Sequence, residues 1–496
     1  MVNVNELKKA TKLDIYPASL AEVGSATYFL ARRGREKLVG CVGSGAIKGA
    51  KAGSLDGNDV TLGPTDHANA LAVRKALPWT APKCMGLATS AGLGDRLGLA
   101  TPGHIRAIRE AGSALKPFLA QQSIREMTRT QRTPEQVMDC ATWGVLQEGF
   151  RDGFGSDGDH VQKLEDLDGV AAVGFTMFTI DPGPHVVNEG DTIAPADLVK
   201  RYAALDWKTL DGSAEFTKKA YAGKTFKLVG GGSVGFDEEA FLRAAVKYGA
   251  AIAHVAKMHR KLQTICKRPF ELEASVDETE SVTTPAEHYF FAAELKRLGV
   301  TWVSMAPRLV GRFEKGVDYI GDLDVFKKSF AQHVAVMRTL GPYKISIHSG
   351  SDKFSIYPLV AEMTDGLVHL KTAGTSYLEA VRAISRIDPG LFREIYTFAR
   401  GRYETDKASY HVSADMAKVP PVEKLSDSQL PDSLDQFDTR QMLHVTFGSV
   451  LTADGGEKFR KRIYAALEAK EDVHYEVLVK HIGRHLAPFV PYAKNR

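Results

Sequence analysis

Short apolar runs alternate with amphipathic segments along the chain from about residue 83 onward. Six runs have the length of strands, at residues 84–89, 171–180, 270–276, 301–306, 344–347 and 367–371. Segments with helical patterning follow several of them, at residues 102–111, 284–298, 323–340 and 376–387. Strands that alternate with helices predict a parallel sheet, because each crossover between parallel strands needs a connection of helix length.

This pattern predicts an α/β fold, a (β/α)8 TIM-like barrel with an N-terminal flanking region and insertions. At least six strand–helix units are visible, and closure into eight is expected, with an open doubly wound sheet as the alternative. Residues 1–80 mix glycine-rich turns with short apolar runs and predict a flanking subdomain ahead of a barrel domain at 81–496. Two polar stretches, 185–230 and 400–440, predict insertions.

The composition is that of a globular protein with a large core, since 44% of the 496 residues are hydrophobic and 25% are charged. A formal net charge of +4 without a dense Lys/Arg run argues against a nucleic-acid partner. The sequence has no N-terminal apolar segment and no run of about 18 apolar residues, so we expect a cytoplasmic protein with no membrane partner. Its four cysteines are scattered, which favours reduced thiols.

The end of one predicted strand is the most informative site in the sequence. Residues 343–347 lead directly into His348, and a polar turn with Ser349, Ser351, Asp352 and Lys353 follows. In α/β barrels and open α/β sheets the carboxyl ends of the strands open onto the ligand crevice. We therefore predict a functional His348, with a buried structural histidine as the alternative.

Another predicted strand alternates strictly between polar and apolar positions, and Glu271, Glu273, Ser275 and Asp277 share its polar face. In a barrel this face points into the lumen, where acids are costly unless they are paired, hydrogen-bonded or bound to a cation. Asp277, at the carboxyl end, is the best placed for catalysis, and Glu278 is its neighbour. An ion pair near the rim is the alternative.

Charged side chains of both signs follow the run at 301–306, among them Arg308, Arg312, Glu314 and Lys315. This density suits a polyhydroxylated anionic ligand, although a solvated loop would have the same composition. Arg125 lies in a basic segment that could present guanidinium forks to a carboxylate. The expected substrate-binding residues are Arg125, Arg312, Lys315, Asp352 and Lys353.

Five segments together resemble the tagaturonate epimerase family: 94–98, 101–104, 275–279, 311–321 and 348–353. The resemblance extends from about residue 80 to 450 and implies an enzyme that interconverts tagaturonate and fructuronate with a divalent metal. It also implies that Asp159 and Asp277 are the acid/base residues and that His160, Glu314 and His348 bind the metal. These ligand types do not choose among Zn, Mn, Fe, Co and Ni.

The chemistry implied by the resemblance agrees with these residue types. The inverted carbon carries a hydroxyl but lies one bond beyond the carbon next to the ketone, so its C–H is not acidified. A retro-aldol route avoids this difficulty, because a metal on the ketone and its neighbouring hydroxyl stabilises the enolate formed when the carbon chain breaks. Two acids then transfer protons on opposite sides, and the same route would 4-epimerise tagatose and fructose.

Three other readings remain open at this point. A metal-dependent sugar isomerase or aldolase would use similar ligands on the same kind of barrel. An NAD-assisted epimerase would invert the carbon through a transient ketone. A carbohydrate-binding protein without catalysis is disfavoured, because it has little use for paired acids beside two histidines. The partner is in each case a small sugar or sugar acid, and the oligomeric state stays open, a homo-oligomer included.

Overall fold

The protein is described from a computed structural model that covers residues 2–348, 352–372 and 374–493. Ser349 and Ser351 of the predicted polar turn lie outside the described residues. No helix in the described part of the chain combines the length and the apolar character needed to cross a membrane.

An antiparallel sheet precedes the barrel. Its six strands are β1 (Asp14–Ile15), β2 (Ala21–Val23), β3 (Ala26–Arg33), β4 (Glu36–Val42), β5 (Ala50–Leu55) and β6 (Asn58–Pro64). They run in the order β1-β3-β4-β6-β5, and β2 also pairs with β3. The helices of this region are α1 (Val4–Thr11) and α2 (His67–Ala76).

Both faces of this sheet are covered. On β3, Tyr28 and Leu30 share one apolar cluster with Trp143, a residue of the barrel region. Phe29, on the opposite face, belongs to a second cluster that includes Leu7 of α1. The period-two alternation of a strand thus fastens one face of the sheet to the barrel and places α1 on the other.

Eight parallel strands form a closed barrel. They are β7 (Ser90–Gly92), β8 (Lys116–Ser123), β9 (Gly155–Val161), β10 (Met177–Ile180), β13 (Glu271–Ser275), β14 (Ser304–Ala306), β15 (Lys344–Ile347) and β16 (Val368–Lys371), and the hairpin β11 (Lys224–Lys227) and β12 (Ser233–Phe236) lies between the fourth and fifth. The ring closes where β16 pairs with β7. The predicted barrel is confirmed, and the open sheet was the wrong alternative.

Helices surround the barrel and extend beyond its last strand. Those between β7 and β13 are α3 (Thr101–Glu110), α4 (Ile124–Thr130), α5 (Pro134–Glu148), α6 (Asp166–Val173), α7 (Pro195–Ala203), α8 (Ala214–Tyr221) and α9 (Glu238–Ile265). Those that follow β13, β14, β15 and β16 are α10 (Pro285–Arg297), α11 (Leu323–Leu340), α12 (Tyr357–Thr364) and α13 (Thr375–Ile387). The C-terminal helices are α14 (Pro389–Asp406), α15 (Phe437–Val445), α16 (Phe447–Thr452), α17 (Arg460–Ala469), α18 (Glu471–Leu486) and α19 (Val490–Ala493).

Local sequence explains where these helices begin. Thr284 caps α10 by accepting a hydrogen bond from the backbone N–H of Glu287, whose carboxylate accepts from the N–H of Thr284 in return. Pro285 occupies the first turn, where no backbone donor is needed. The cap of α11 is Asp322, which accepts from two backbone N–H groups. Such caps satisfy the donors that the first turn of a helix leaves unpaired.

The structure corrects several sequence predictions. The strand expected at 84–89 is irregular, and the small residues Ser90–Gly92 form β7 instead. The run at 171–180 contains the end of α6, so its strand begins only at Met177. The sequence prediction also missed β8 and β9, because their lumen-facing polar side chains break the apolar pattern. The stretch at 400–440 follows the last barrel strand, so it is a C-terminal extension rather than an insertion.

Candidate active site

The lumen of the barrel is polar and closely paired. Glu273 of β13 lies at 0% exposure and accepts from His348 Nε2 at 2.6 Å and from Lys371 Nζ at 2.9 Å. Ser304 on β14 also donates to Glu273. Glu271, two residues earlier on the same face, accepts from the backbone N–H of Gly86. The acid column expected from the alternation of β13 is thus stabilised by hydrogen bonds and by basic side chains from β15 and β16 across the barrel.

A β-bulge in β9 brings two adjacent residues to the lumen end of the barrel. Gly158 pairs with Phe178 and Val161 with Ile180, so Asp159 and His160 together stand opposite a single residue of β10. His160 has a positive φ of 48°, the left-handed conformation typical of such an extra residue. The bulge lets neighbouring side chains, which a regular strand would direct to opposite faces, line the same cavity.

Three strand ends bring together a group of candidate metal ligands. One ligand atom each of His160, Asp277 and His348 lies within 4.8 Å of the other two. His160 Nδ1 donates to Asp181 at 3.2 Å, and His348 Nδ1 donates to Asp277 at 3.0 Å. A carboxylate partner on a metal-binding imidazole fixes the orientation of the ring. We call His160, Asp277 and His348 the cavity cluster.

The charge balance around the cavity cluster also suits a cation. Lys371 Nζ lies between Asp157 at 2.8 Å and Asp159 at 2.6 Å, besides its contact with Glu273. These three carboxylates and Asp277 are all buried, and Lys371 forms ion pairs with only the first three. Two imidazoles with surrounding carboxylates are donors that divalent transition metals accept. The residues present therefore fit a divalent cation.

Without a metal, protons supply the missing positive charge. Burial disfavours the His160 imidazolium, but the charge of Asp159 and the hydrogen bond to Asp181 outweigh it and raise the pKa of His160 to about 10. Burial likewise opposes the charge on His348, while Asp277 raises its pKa above the usual range. A divalent metal would displace these protons, because only a neutral imidazole coordinates.

Glu314, the third ligand implied by the family resemblance, lies apart from this cluster. Its carboxylate accepts from Ser413 Oγ at 2.7 Å and from Gln441 Nε2 at 2.9 Å. Among the described residues, Glu314 belongs to no group of close ligand atoms with His160 or His348. In the described geometry, the carboxylate that lies with the two histidines as a third candidate ligand is Asp277, whereas the resemblance implies Glu314 for this role.

Two neighbouring cavities lie at the carboxyl ends of the strands. The outer one, of about 300 Å³, is lined by Asp277, Glu314 and the basic side chains of Arg308 and Arg312. The inner one, of about 40 Å³, is lined by groups of the barrel lumen, including Asp159, His160, His348 and Lys371. Four residues border both cavities: Arg125, Glu278, Lys315 and Tyr410. Of the predicted substrate-binding residues, Arg125, Arg312 and Lys315 thus line a cavity.

Asp352 and Lys353 are placed differently. Asp352 accepts from Arg440 Nε at 2.8 Å and from His481 Nε2 at 2.8 Å. Lys353 donates to the backbone oxygen of Glu314 at 2.8 Å. Both side chains are buried, and neither lines the two cavities. Their described contacts hold the surrounding loops in place.

Sequence reasoning missed several residues of this site. Lys371 is the last residue of the strand that was predicted at 367–371 and is present as β16. The strand-end argument that selected His348 would therefore also have selected Lys371. Gln121 donates to Asp159 at 2.7 Å, but it belongs to the unrecognised strand β8. Tyr410 comes from the C-terminal extension, and no local pattern connects it with the barrel.

Comparisons with known proteins point to one group. The model of the family described as "UxaE: tagaturonate epimerase" matches residues 16–489. A Thermotoga maritima protein named tagaturonate/fructuronate epimerase is 43% identical over 477 residues, which cover 95% of this chain and 96% of that protein. Crystal structures of the fructuronate-tagaturonate epimerase UxaE from Cohnella laeviribosi, with one and two glycerol molecules, give TM-scores of 0.90 and 0.91 at 37% and 36% identity. These alignments cover 96% and 98% of both chains.

Proposed function

The chain belongs to the tagaturonate epimerase family, and from this premise we propose that it interconverts D-tagaturonate and D-fructuronate. The observation that carries the proposal is the cavity cluster, which lies at three strand ends and has a second carboxylate, Asp159, beside it. Inversion by a retro-aldol route requires proton transfer on two sides of the substrate, and Asp159 and Asp277 come from different strand ends. The same site would 4-epimerise the neutral ketoses tagatose and fructose.

His160 and His348 would hold a divalent metal. Glu314 would complete the set if its carboxylate exchanged Ser413 and Gln441 for the ion. A divalent cation at this position supplies Lewis acidity to the ketone and its neighbouring hydroxyl. Asp277 then remains available for proton transfer.

Asp159 is the group that we assign to the first proton transfer. Burial opposes its ionisation, but the ammonium of Lys371 lowers its pKa, so Asp159 is a carboxylate at neutral pH. Gln121 Nε2 at 2.7 Å fixes its orientation. In this state Asp159 can accept the proton of the hydroxyl on the carbon that is inverted.

A retro-aldol step follows from the loss of that proton. The C–O bond becomes a carbonyl as the neighbouring C–C bond breaks, and the electron pair of the broken bond remains on the ketone fragment as an enolate. The aldehyde turns about its own axis, and the enolate carbon adds to its other face. The new alkoxide then takes a proton from the acid on the opposite side. Burial opposes the ionisation of Asp277, but His348 lowers its pKa, so Asp277 must first receive a proton from the solvent or from a neighbouring group.

The experiment that tests this proposal is turnover of D-tagaturonate in heavy water, followed by NMR. We expect D-fructuronate without deuterium at the inverted carbon, because its hydrogen stays bound throughout a retro-aldol reaction. Chelation should abolish turnover, and a divalent ion should restore it. Deuterium at that carbon would contradict the retro-aldol route, and full activity after chelation would contradict the metal. Nicotinamide absorbance in the purified protein would favour the NAD-assisted route.

A further inference from the structure

Glu278 forms a partition between the two cavities. Its carboxylate accepts from both terminal nitrogens of Arg125, at 3.0 and 3.2 Å, and from Lys315 Nζ at 3.2 Å. The three residues follow three different barrel strands, and each of them borders both the outer and the inner cavity. Together they lie between the two cavities.

This partition lies where the substrate has to react. Asp277 borders the outer cavity, and Asp159 borders the inner one. The inner cavity, about 40 Å³, is far smaller than the roughly 300–1,000 Å³ of typical small-ligand sites. A six-carbon substrate that contacts both acids must therefore displace the partition.

The partition is also built from a site that binds carboxylates. Glu278 is the sole acid paired with either Arg125 or Lys315 among the described residues. Two cations thus face one anion. A guanidinium that grips a carboxylate through two parallel hydrogen bonds will take another carboxylate in the same way. The side chains are 42%, 22% and 21% exposed for Arg125, Glu278 and Lys315, so an incoming ligand can reach them.

We propose that Arg125 and Lys315 bind the carboxylate of the substrate and that Glu278 occupies this position in the ligand-free protein. The incoming carboxylate displaces Glu278, and this exchange opens the passage between the cavities. The inference rests on the proposed function and makes keto acids the preferred substrates over neutral ketoses. A neutral ketose has no charge with which to compete against Glu278, so it opens the passage less readily.

Calorimetric titration with a ligand pair that does not turn over tests this exchange. D-gluconate is a six-carbon polyol with a carboxylate, and D-glucitol is its neutral counterpart. In Glu278→Gln the competing charge is gone, so we expect D-gluconate to bind about three- to tenfold more tightly than in the wild type. The binding of D-glucitol should stay unchanged.

Glu280→Gln is the matched control, because Glu280 is exposed and its side chain makes no hydrogen bond or ion pair with any described residue. It removes the same charge two residues away, so it should leave D-gluconate affinity at the wild-type value. The proposal would be overturned if both variants gained the same D-gluconate affinity. It would also be overturned if Glu278→Gln bound D-gluconate as the wild type does or more weakly.

Arg125→Gln gives a second test that does not depend on the folding of Glu278→Gln. It should weaken D-gluconate binding by about tenfold and spare D-glucitol, and unchanged D-gluconate binding would overturn the proposal. The titrations need no turnover, so they are independent of the epimerase assay. Wild-type protein that fails to convert D-tagaturonate contradicts the proposed function, whereas the titrations decide the role of Glu278.

Discussion

Two clusters of histidine and aspartate in this protein offer the same kinds of ligand atoms in different surroundings. The cavity cluster, His160, Asp277 and His348, lies at the carboxyl ends of barrel strands. We call the other group the interior cluster: Asp352, His481 and His485, whose ligand atoms also lie within 4.8 Å of one another. The interior cluster is buried between the loop after β15 and helix α18.

The difference lies in how each aspartate is neutralised. Asp352 has its own permanent cation, since Arg440 Nε lies 2.8 Å from it and Arg440 Nη2 also donates to Glu379 at 3.1 Å. The cavity cluster relies on imidazoles that lose their protons more readily than a guanidinium does. Close ligand atoms therefore indicate a metal site only where a cavity gives access and no permanent cation already occupies the centre.

The largest expected effect belongs to the cavity cluster. Asp277→Asn should reduce kcat/KM by about a hundred- to ten-thousand-fold, the usual loss for an acid/base group, while the protein keeps its metal and its fold. Steady-state kinetics with metal analysis by mass spectrometry measure both quantities. His348→Ala is the companion variant and should lose the metal. If Asp277→Asn loses as much metal as His348→Ala, then Asp277 is a ligand and not an acid/base residue.

In the interior cluster the corresponding substitution should affect stability instead. Asp352→Asn leaves the buried guanidinium of Arg440 without its closest carboxylate, and breaking such a pair destabilises a protein by about 3–5 kcal/mol. Urea denaturation should show this loss, with an unchanged metal content in the folded protein. A large loss of metal without a loss of stability would mean that the interior cluster is the metal site.

A smaller effect distinguishes the two clusters by pH. The pKa of His160 is raised to about 10, so in metal-free protein its stabilising effect is complete below about pH 6.5 and is lost as the pH rises towards 10. Burial lowers the pKa of His485 despite Asp352, so its effect has the opposite slope: stability falls as the pH drops below about 6.5. Thermal unfolding of metal-free His160→Gln and His485→Gln, each compared with the wild type across this range, measures the two slopes. If stability changed with pH in the same direction for both histidines, the opposite pKa shifts of His160 and His485 would be contradicted.

The sequence predicted those parts of the site that depend on one strand alone. The alternation of β13 and the strand-end rule led to Asp277 and His348, because both arguments need only local spacing. Asp159 and His160 followed from the family resemblance. The local sequence shows only an adjacent acid and imidazole, which alone would usually be a solvated turn, since β9 is polar and its bulge changes the register. The division of the chain near residue 80 stays a prediction.

What the sequence could not predict is mainly pairing over long distances. Lys371 and Asp159 are 212 residues apart, and nothing local in either segment specifies the other. The barrel alone places them in one lumen. Asp352 is a second case of long-distance pairing that the sequence could not predict. It was predicted to bind substrate because it lies near His348 in sequence. In the structure its partners come from α15 and α18, which lie about a hundred residues later in the chain.

The closure of the barrel between β16 and β7 has a consequence for the nascent chain. Ser90 and His369, which meet across this seam, are 279 residues apart. At typical rates of synthesis the ribosome needs roughly 14 to 56 s to make that length. Throughout this time β7 has no partner along the edge that β16 later joins. Lys371, which pairs with the acids of β9, is not yet available. Lys371 is synthesised after Asp157, Asp159 and Glu273, so it can neutralise these acids only once the last strand of the barrel is in place.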